Sequence, residues 1–262
     1  MKKSKTPTVA LKDPRSLTDQ QIDQMCALYL AHHHTNRQAC EERIRTGFDQ
    51  IILYQDPQTK DVVGYNGVQK RIHRIKGFLR PVLAVYLGQL YIDKAFRGGH
   101  PVPRAMIRIF LREKLMRPWL MPFIWADALT YKPYMLMAMN SKHFYPNPDR
   151  ETPEAYQNLI THLGQDRYGD RFDPTTGCVS KDSKLLKDHV APIPERLLRN
   201  KFIRFYRERN VNFESGGGLL VVNFFDWYTV RKVFKKLITG YWHQFQKNRR
   251  KKRTVKLENA IV

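Results

Sequence analysis

The chain has 262 residues, 42% of them hydrophobic and 12% aromatic, which is enough apolar material for a large core and excludes wholesale disorder. Lys and Arg outnumber Asp and Glu by 46 to 24, a formal net charge of +22. The expected partner is therefore negatively charged: an acidic protein, an anionic membrane surface or a nucleic acid.

Residues 1–15 read as a basic lead-in, and MKKSKTPTVALKD lacks the apolar core of a secretory signal. Ser16-Leu17-Thr18-Asp19 offers capping residues to a helix whose apolar positions are Ile22, Met25, Cys26, Tyr29 and Leu30. The run His32-His33-His34 follows that helix and reads as its polar end. With no further converging ligand in the pattern, no metal is expected. A second short helix is predicted over Arg37–Arg45. The three cysteines, Cys26, Cys40 and Cys178, make no CxxC pair. So sparse and odd a set suits a reducing compartment better than a disulfide framework.

Phe48–Gln55 and Val62–Arg71 read as strands joined by a turn at Asp56-Pro57, and Val82–Ile92 reads as a third strand. After Ile92 the period changes: Asp93–Gly99 is a turn, and Val102–Met116 is helical until Pro118 stops it. Phe123–Ala128 is the next strand and Tyr134–Asn140 the next helix. This alternation predicts an α/β fold, a mixed central sheet flanked by helices. Core elements are expected over 16–150 and an irregular insertion, a candidate lid with one helix over Pro153–Leu163, over 151–196. A helix and strand over 197–226 complete the domain. The remaining 227–262 read as a basic amphipathic helix and tail, in which Arg231, Lys232, Lys235 and Lys236 oppose an aromatic face with Phe234, Trp242 and Phe245. That face packs on the domain or lies on a membrane, and nucleic-acid binding is a third reading. No apolar run approaches the roughly 20 residues that cross a bilayer. A cytoplasmic protein, peripheral to the membrane in the lipid reading, is expected.

The stretch Leu90-Tyr91-Ile92-Asp93-Lys94-Ala95-Phe96-Arg97-Gly98-Gly99-His100-Pro101-Val102 resembles the central motif of the GNAT acyltransferase superfamily. A strand ends in apolar residues and Asp, an aromatic-Arg-Gly loop follows, then a helix. The resemblance implies a GNAT-like fold over 16–145 and acyl transfer from a thioester to an amine. It also implies donor binding by Leu90, Tyr91, Ile92, Arg97, Gly98, Gly99, His100 and Val102. Loop amides and the helix N-terminus would hold the donor's pyrophosphate. The family's glycine positions, counted from Arg97, carry His100 and Val102 here, and Pro101 and Pro103 lack N–H groups. Acetyl-CoA is therefore expected to bind weakly. A long-chain acyl-CoA or an acyl group on an acidic carrier protein is the expected donor; the other reading is a non-catalytic module of this fold that docks on anionic membrane.

In many members of that family a Tyr in the helix after the fifth strand protonates the leaving thiolate. Tyr134 lies about one turn before the matching position, so it is the candidate acid, or else an aromatic packed under the sheet. Asp127, at a strand end, is the candidate to bind or deprotonate the amine, or else a cap for the following turn. No GxSxG, HExxH or Walker A pattern is present.

Overall fold

The structure, a computed structural model, describes residues 6–97, 100–180, 186–187, 190, 192–235 and 238–239. Its long strands are β1 (Thr8–Lys12), β2 (Gln50–Gln55), β3 (Val62–His73), β4 (Val82–Ile92) and β5 (Met121–Ala128). Three two-residue strands follow, β6 (Phe144–Tyr145), β7 (Phe172–Asp173) and β8 (Cys178–Val179), and then β9 (Gly218–Phe224). They form one sheet in the order β1-β2-β3-β4-β5-β9-β8-β7, with β6 beside β9. Every pairing is antiparallel except β4 with β5, which helix α3 (Pro101–Met116) connects.

Side chains alternate across these strands, so each helix meets its own face of the sheet. Ala84, Tyr86, Phe123 and Trp125 share one face with α1 (Asp19–Leu30), α2 (Arg37–Thr46) and α5 (Glu154–Tyr168). Leu83, Val85, Ile124 and Ala126 share the other with α3, α4 (Tyr131–Asn140) and α6 (Lys201–Arg209). Residues 227–235 form a further helix on this second face, α7, where Val230 and Val233 are buried. Thr18 caps α1 as predicted, and Gln21 completes the capping box. The buried ion pair of Lys70 Nζ with Glu113 Oε1, 2.7 Å, ties α3 to β3. No helix among the described residues is long and apolar enough to cross a membrane.

Three expectations are corrected. The basic lead-in contains β1, in which Val9 and Leu11 pack on one face of the sheet and Ala10 on the other. Five residues between charged flanks are too few for alternation to stand out. The supposed irregular insertion is part of the domain: its expected helix is α5, but Leu159, Ile160 and Leu163 of that helix are core residues, and β7 and β8 extend the sheet. The single apolar face expected of the last helix is divided: Val230 and Val233 point inward, whereas Phe234 and Ile238 are exposed. Trp242, Phe245 and the cationic tail lie outside the described residues.

Candidate active site

β4 and β5 pair only from Val82↔Met121 to Tyr86↔Trp125. Beyond Tyr86, β4 runs to Ile92 paired with β3, while β5 runs to Ala128 paired with β9. The two parallel strands therefore part at Tyr86 and Trp125 and leave a fork. The Tyr206 hydroxyl donates to the Ala128 carbonyl at 3.0 Å and fixes the end of the β5 arm.

Past the fork, β4 carries a bulge, because Gly67 pairs with Gly88 and Tyr65 with Tyr91. Two residues of β4 thus stand opposite Asn66, and Gln89 takes up the extra one in the left-handed region at φ 53°. A bulge of one residue inverts the facing of the residues after it. Leu90 and Ile92 pack on the α3 face, and Tyr91 turns toward α1 with Tyr86. There Tyr91 shares a hydrogen bond of 3.0 Å with the His33 ring, which stacks on Tyr29 at 4.2 Å. His33 is thus a buried member of the site rather than a polar helix end. Burial, then the charges of Arg43, His32 and His34, pull it down to about 4. The Gln89 amide lies near the Tyr29 hydroxyl without reaching hydrogen-bond geometry, and the buried Tyr65 hydroxyl has no protein partner. Such groups accept water or a ligand readily.

At the fork itself the Tyr86 hydroxyl donates to Asp127 Oδ1 at 2.6 Å. Tyr86, Trp125 and Asp127 meet because strand alternation puts all three on the α5 face. Arg167 lies over the Tyr86 ring at 3.8 Å, and its Nη1 donates to Gln69 Oε1 at 2.7 Å. Burial opposes the charge on Arg167, but Tyr86, Tyr168 and Asp127 outweigh it and hold its pKa above the ordinary value. Arg43, from α2, acts electrostatically on the same Tyr86, Tyr29 and Asp127. Burial, then the Asp127 charge, pushes the Tyr86 phenol up, so it stays protonated and donates. A polar cleft of about 270 Å³ opens alongside, between α5 and the sheet, lined by Gln69, Arg71, His73, Tyr86, Trp125 and Arg167 among others.

On the other side lies the start of α3. His100 precedes it in the left-handed region, φ 52° and ψ 53°, with no side-chain cap. Of Pro101, Val102 and Pro103 only Val102 has an N–H to offer, and its side chain is buried. Side-chain cations stand nearby instead. Arg97 Nε donates to the Ile92 carbonyl at 2.9 Å, and Lys132 opens α4. Desolvation, then the charges of Arg97 and Lys94, pull the Lys132 ammonium down. Gly98 and Gly99 lie outside the described residues.

Of the expected site residues, Asp127 stands at the fork, Tyr91 faces it, and Leu90, Ile92, Arg97, His100 and Val102 surround the α3 entrance. Tyr134 does not join them. It is fully buried among Phe144, Phe205 and Tyr206, and its hydroxyl donates to the Pro146 carbonyl at 3.0 Å. That is the setting of a core tyrosine. Arg43, Tyr86 and Arg167 were not foreseen: they converge from α2, β4 and α5, and no local spacing links them.

The order of two helices, three strands, a helix, a strand and a helix over α1 to α4 is the order that the motif implied. No family model matches the chain, and no curated protein matches it. Among solved structures it is similar to a ribosomal-protein-alanine N-acetyltransferase from Brucella melitensis biovar Abortus 2308, at 14% identity over 50% of this chain and 88% of that one, with a TM-score of 0.37. It is similar also to a GNAT-family acetyltransferase from Staphylococcus aureus Mu50, at 12% identity over 57% and 92%, TM-score 0.39. A third is a GNAT-family N-acetyltransferase from Escherichia coli in complex with CoA, at 12% identity over 54% and 76%, TM-score 0.35.

Proposed function

We propose that the chain is an acyltransferase that moves an acyl group from a thioester to an amine at the β4/β5 fork. The observation that carries the reading is Asp127, held by Tyr86 where the two parallel strands part. In the reaction the amine nitrogen attacks the thioester carbonyl carbon. A C–N bond forms, the C–S bond breaks, and the sulfur leaves with the electron pair and takes up a proton. The nitrogen loses one proton to solvent.

Asp127 accepts the Tyr86 hydroxyl, and its carboxyl oxygens are hydrogen-bond acceptors to which the amine's N–H can donate. Its role is to bind and orient the acceptor. The edge of β4 beyond Tyr86 provides the wall along which the thioester arm lies.

The donor's phosphates meet Lys94, Arg97 and Lys132 rather than a row of amides. Side chains of this kind suit a phosphate presented by CoA or by an acidic carrier protein, with an affinity that salt weakens. Native mass spectra of the protein mixed with acetyl-CoA, a long-chain acyl-CoA and an acylated carrier protein test this. The proposal expects a retained adduct with the second or third and little with the first. Tight acetyl-CoA binding contradicts the donor preference. Absence of any adduct favours the second reading, a non-catalytic module on anionic membrane, which the two prolines at the start of α3 support.

A further inference from the structure

The antiparallel pairing of β9 on β5 brings the start of α7 beside the end of α3. Phe225 N donates to the Pro122 carbonyl at 3.0 Å, and the Trp227 ring meets Phe110 of α3 edge-on at 5.2 Å. Four large apolar side chains gather at this end of the molecule with much of their surface in water. Leu115 is 86% exposed, Met116 55%, Trp119 57% and Trp227 62%. Phe234, about two turns further along α7, is also exposed, as is Ile238 beyond it. Single exposed hydrophobics are ordinary, but several on two neighbouring helix ends are the composition of an interaction surface.

The charge around the group is mostly positive. Arg112 lies near the end of α3 and Arg117 caps it, 3.9 Å from Glu113, while Lys114 donates to the Pro118 and Leu120 carbonyls; Arg231, Lys232 and Lys235 lie on α7. The acidic residues of these segments are turned to other work: Glu113 is buried against Lys70, and Asp226 accepts from the Thr229 N–H at 2.7 Å. The sequence beyond adds six cations from Lys247 to Arg253. Exposed aromatics among Lys and Arg match a bilayer interface, where rings sit at headgroup depth and cations meet lipid phosphates. A second copy of the chain would bring cation against cation. A nucleic acid would satisfy the charges and leave Leu115, Phe234 and Ile238 in water.

We propose that the end of α3 and the exposed side chains of α7 together form a docking surface for an anionic lipid bilayer. This surface is independent of acyl transfer. It places the lipid contact on the folded domain, with Leu115 and Trp119 as its inserting residues.

The test is co-sedimentation of the full chain with vesicles of phosphatidylcholine alone and of phosphatidylcholine with phosphatidylserine. Binding to the mixed vesicles should exceed binding to the neutral ones by about tenfold or more, and salt should weaken it. The double variant Leu115→Glu with Trp119→Glu should lose about tenfold with an unchanged melting temperature, since both side chains are already in water. A variant lacking 247–262 should keep part of its binding. Equal binding to both vesicles, or none, overturns the proposal. So does binding that the double variant retains and the truncation abolishes, which would assign it to the tail alone. A concentration-dependent dimer that the double variant dissociates, or tight duplex binding at physiological salt without vesicle binding, also overturns it.

Discussion

Protonating His33 is the perturbation whose effect on the fold can be worked out most directly. The ring is 5% exposed, stacked on Tyr29 and hydrogen-bonded to Tyr91. Burial first, then the charges of Arg43, His32 and His34, lower its pKa from 6.5 to about 4. Above pH 6.5 the ring is neutral in the folded and the unfolded chain alike, and its environment is fully stabilising. Between 6.5 and about 4 the unfolded chain takes up a proton that the fold refuses, so stability falls with pH. At about 1.4 kcal/mol per pH unit the loss reaches about 3 kcal/mol. Urea unfolding of the wild type and of His33→Phe across this window measures it. The variant keeps the stack on Tyr29, loses the Tyr91 hydrogen bond and has nothing to titrate at that position. It should begin less stable and lose stability less steeply, so that the two converge as pH falls. His73, whose pKa burial also lowers, is common to both and cancels. Parallel curves would refute the assignment of His33 as a buried neutral ring.

Tyr134→Phe should leave acyl transfer unchanged and lower stability by about 1 kcal/mol, because only the hydrogen bond to Pro146 is lost; turnover and urea unfolding check both parts. Gly67→Ala should destabilise by about 1–3 kcal/mol, since a Cβ there would stand 2.3 Å from the Phe48 ring. Thermal unfolding reads it, and no change would mean that Phe48 moves freely. Lys132→Glu should weaken donor binding about tenfold at low salt and far less at high salt, by calorimetry with an acyl-CoA. Equal loss at both would point to a structural effect.

The long periodic segments were legible in the sequence because alternation and helical spacing are local properties. β4 spans the predicted Val82–Ile92, and Thr18 caps α1. The features that escaped depend on contacts distant along the chain. β1 counts as a strand only because β2 offers it an edge. The helix over Pro153–Leu163 was legible, but the Pro, Gly and Asp around it hid that its Leu159 and Leu163 close the core and that β7 and β8 extend the sheet. The bulge at Gln89 turned Tyr91 from the α3 face to the α1 face, and no residue type announces a bulge taken up by Gln. Asp127 was legible as a polar residue ending an apolar strand. Its partners were not, since Arg43, Tyr86 and Arg167 are brought together by the sheet and the two helices that cover it.

The most direct test of the account is release of free thiol from a thioester donor, followed with and without an amine acceptor, for the wild type and Asp127→Asn. The account predicts amine-dependent release by the wild type from a long-chain acyl-CoA or an acylated carrier protein. It predicts a loss of about 100-fold in the variant, whose fold and donor binding are retained, because a misplaced acceptor loses about that much. Release that Asp127→Asn sustains at the wild-type rate, or no release from any thioester with any amine, would contradict it.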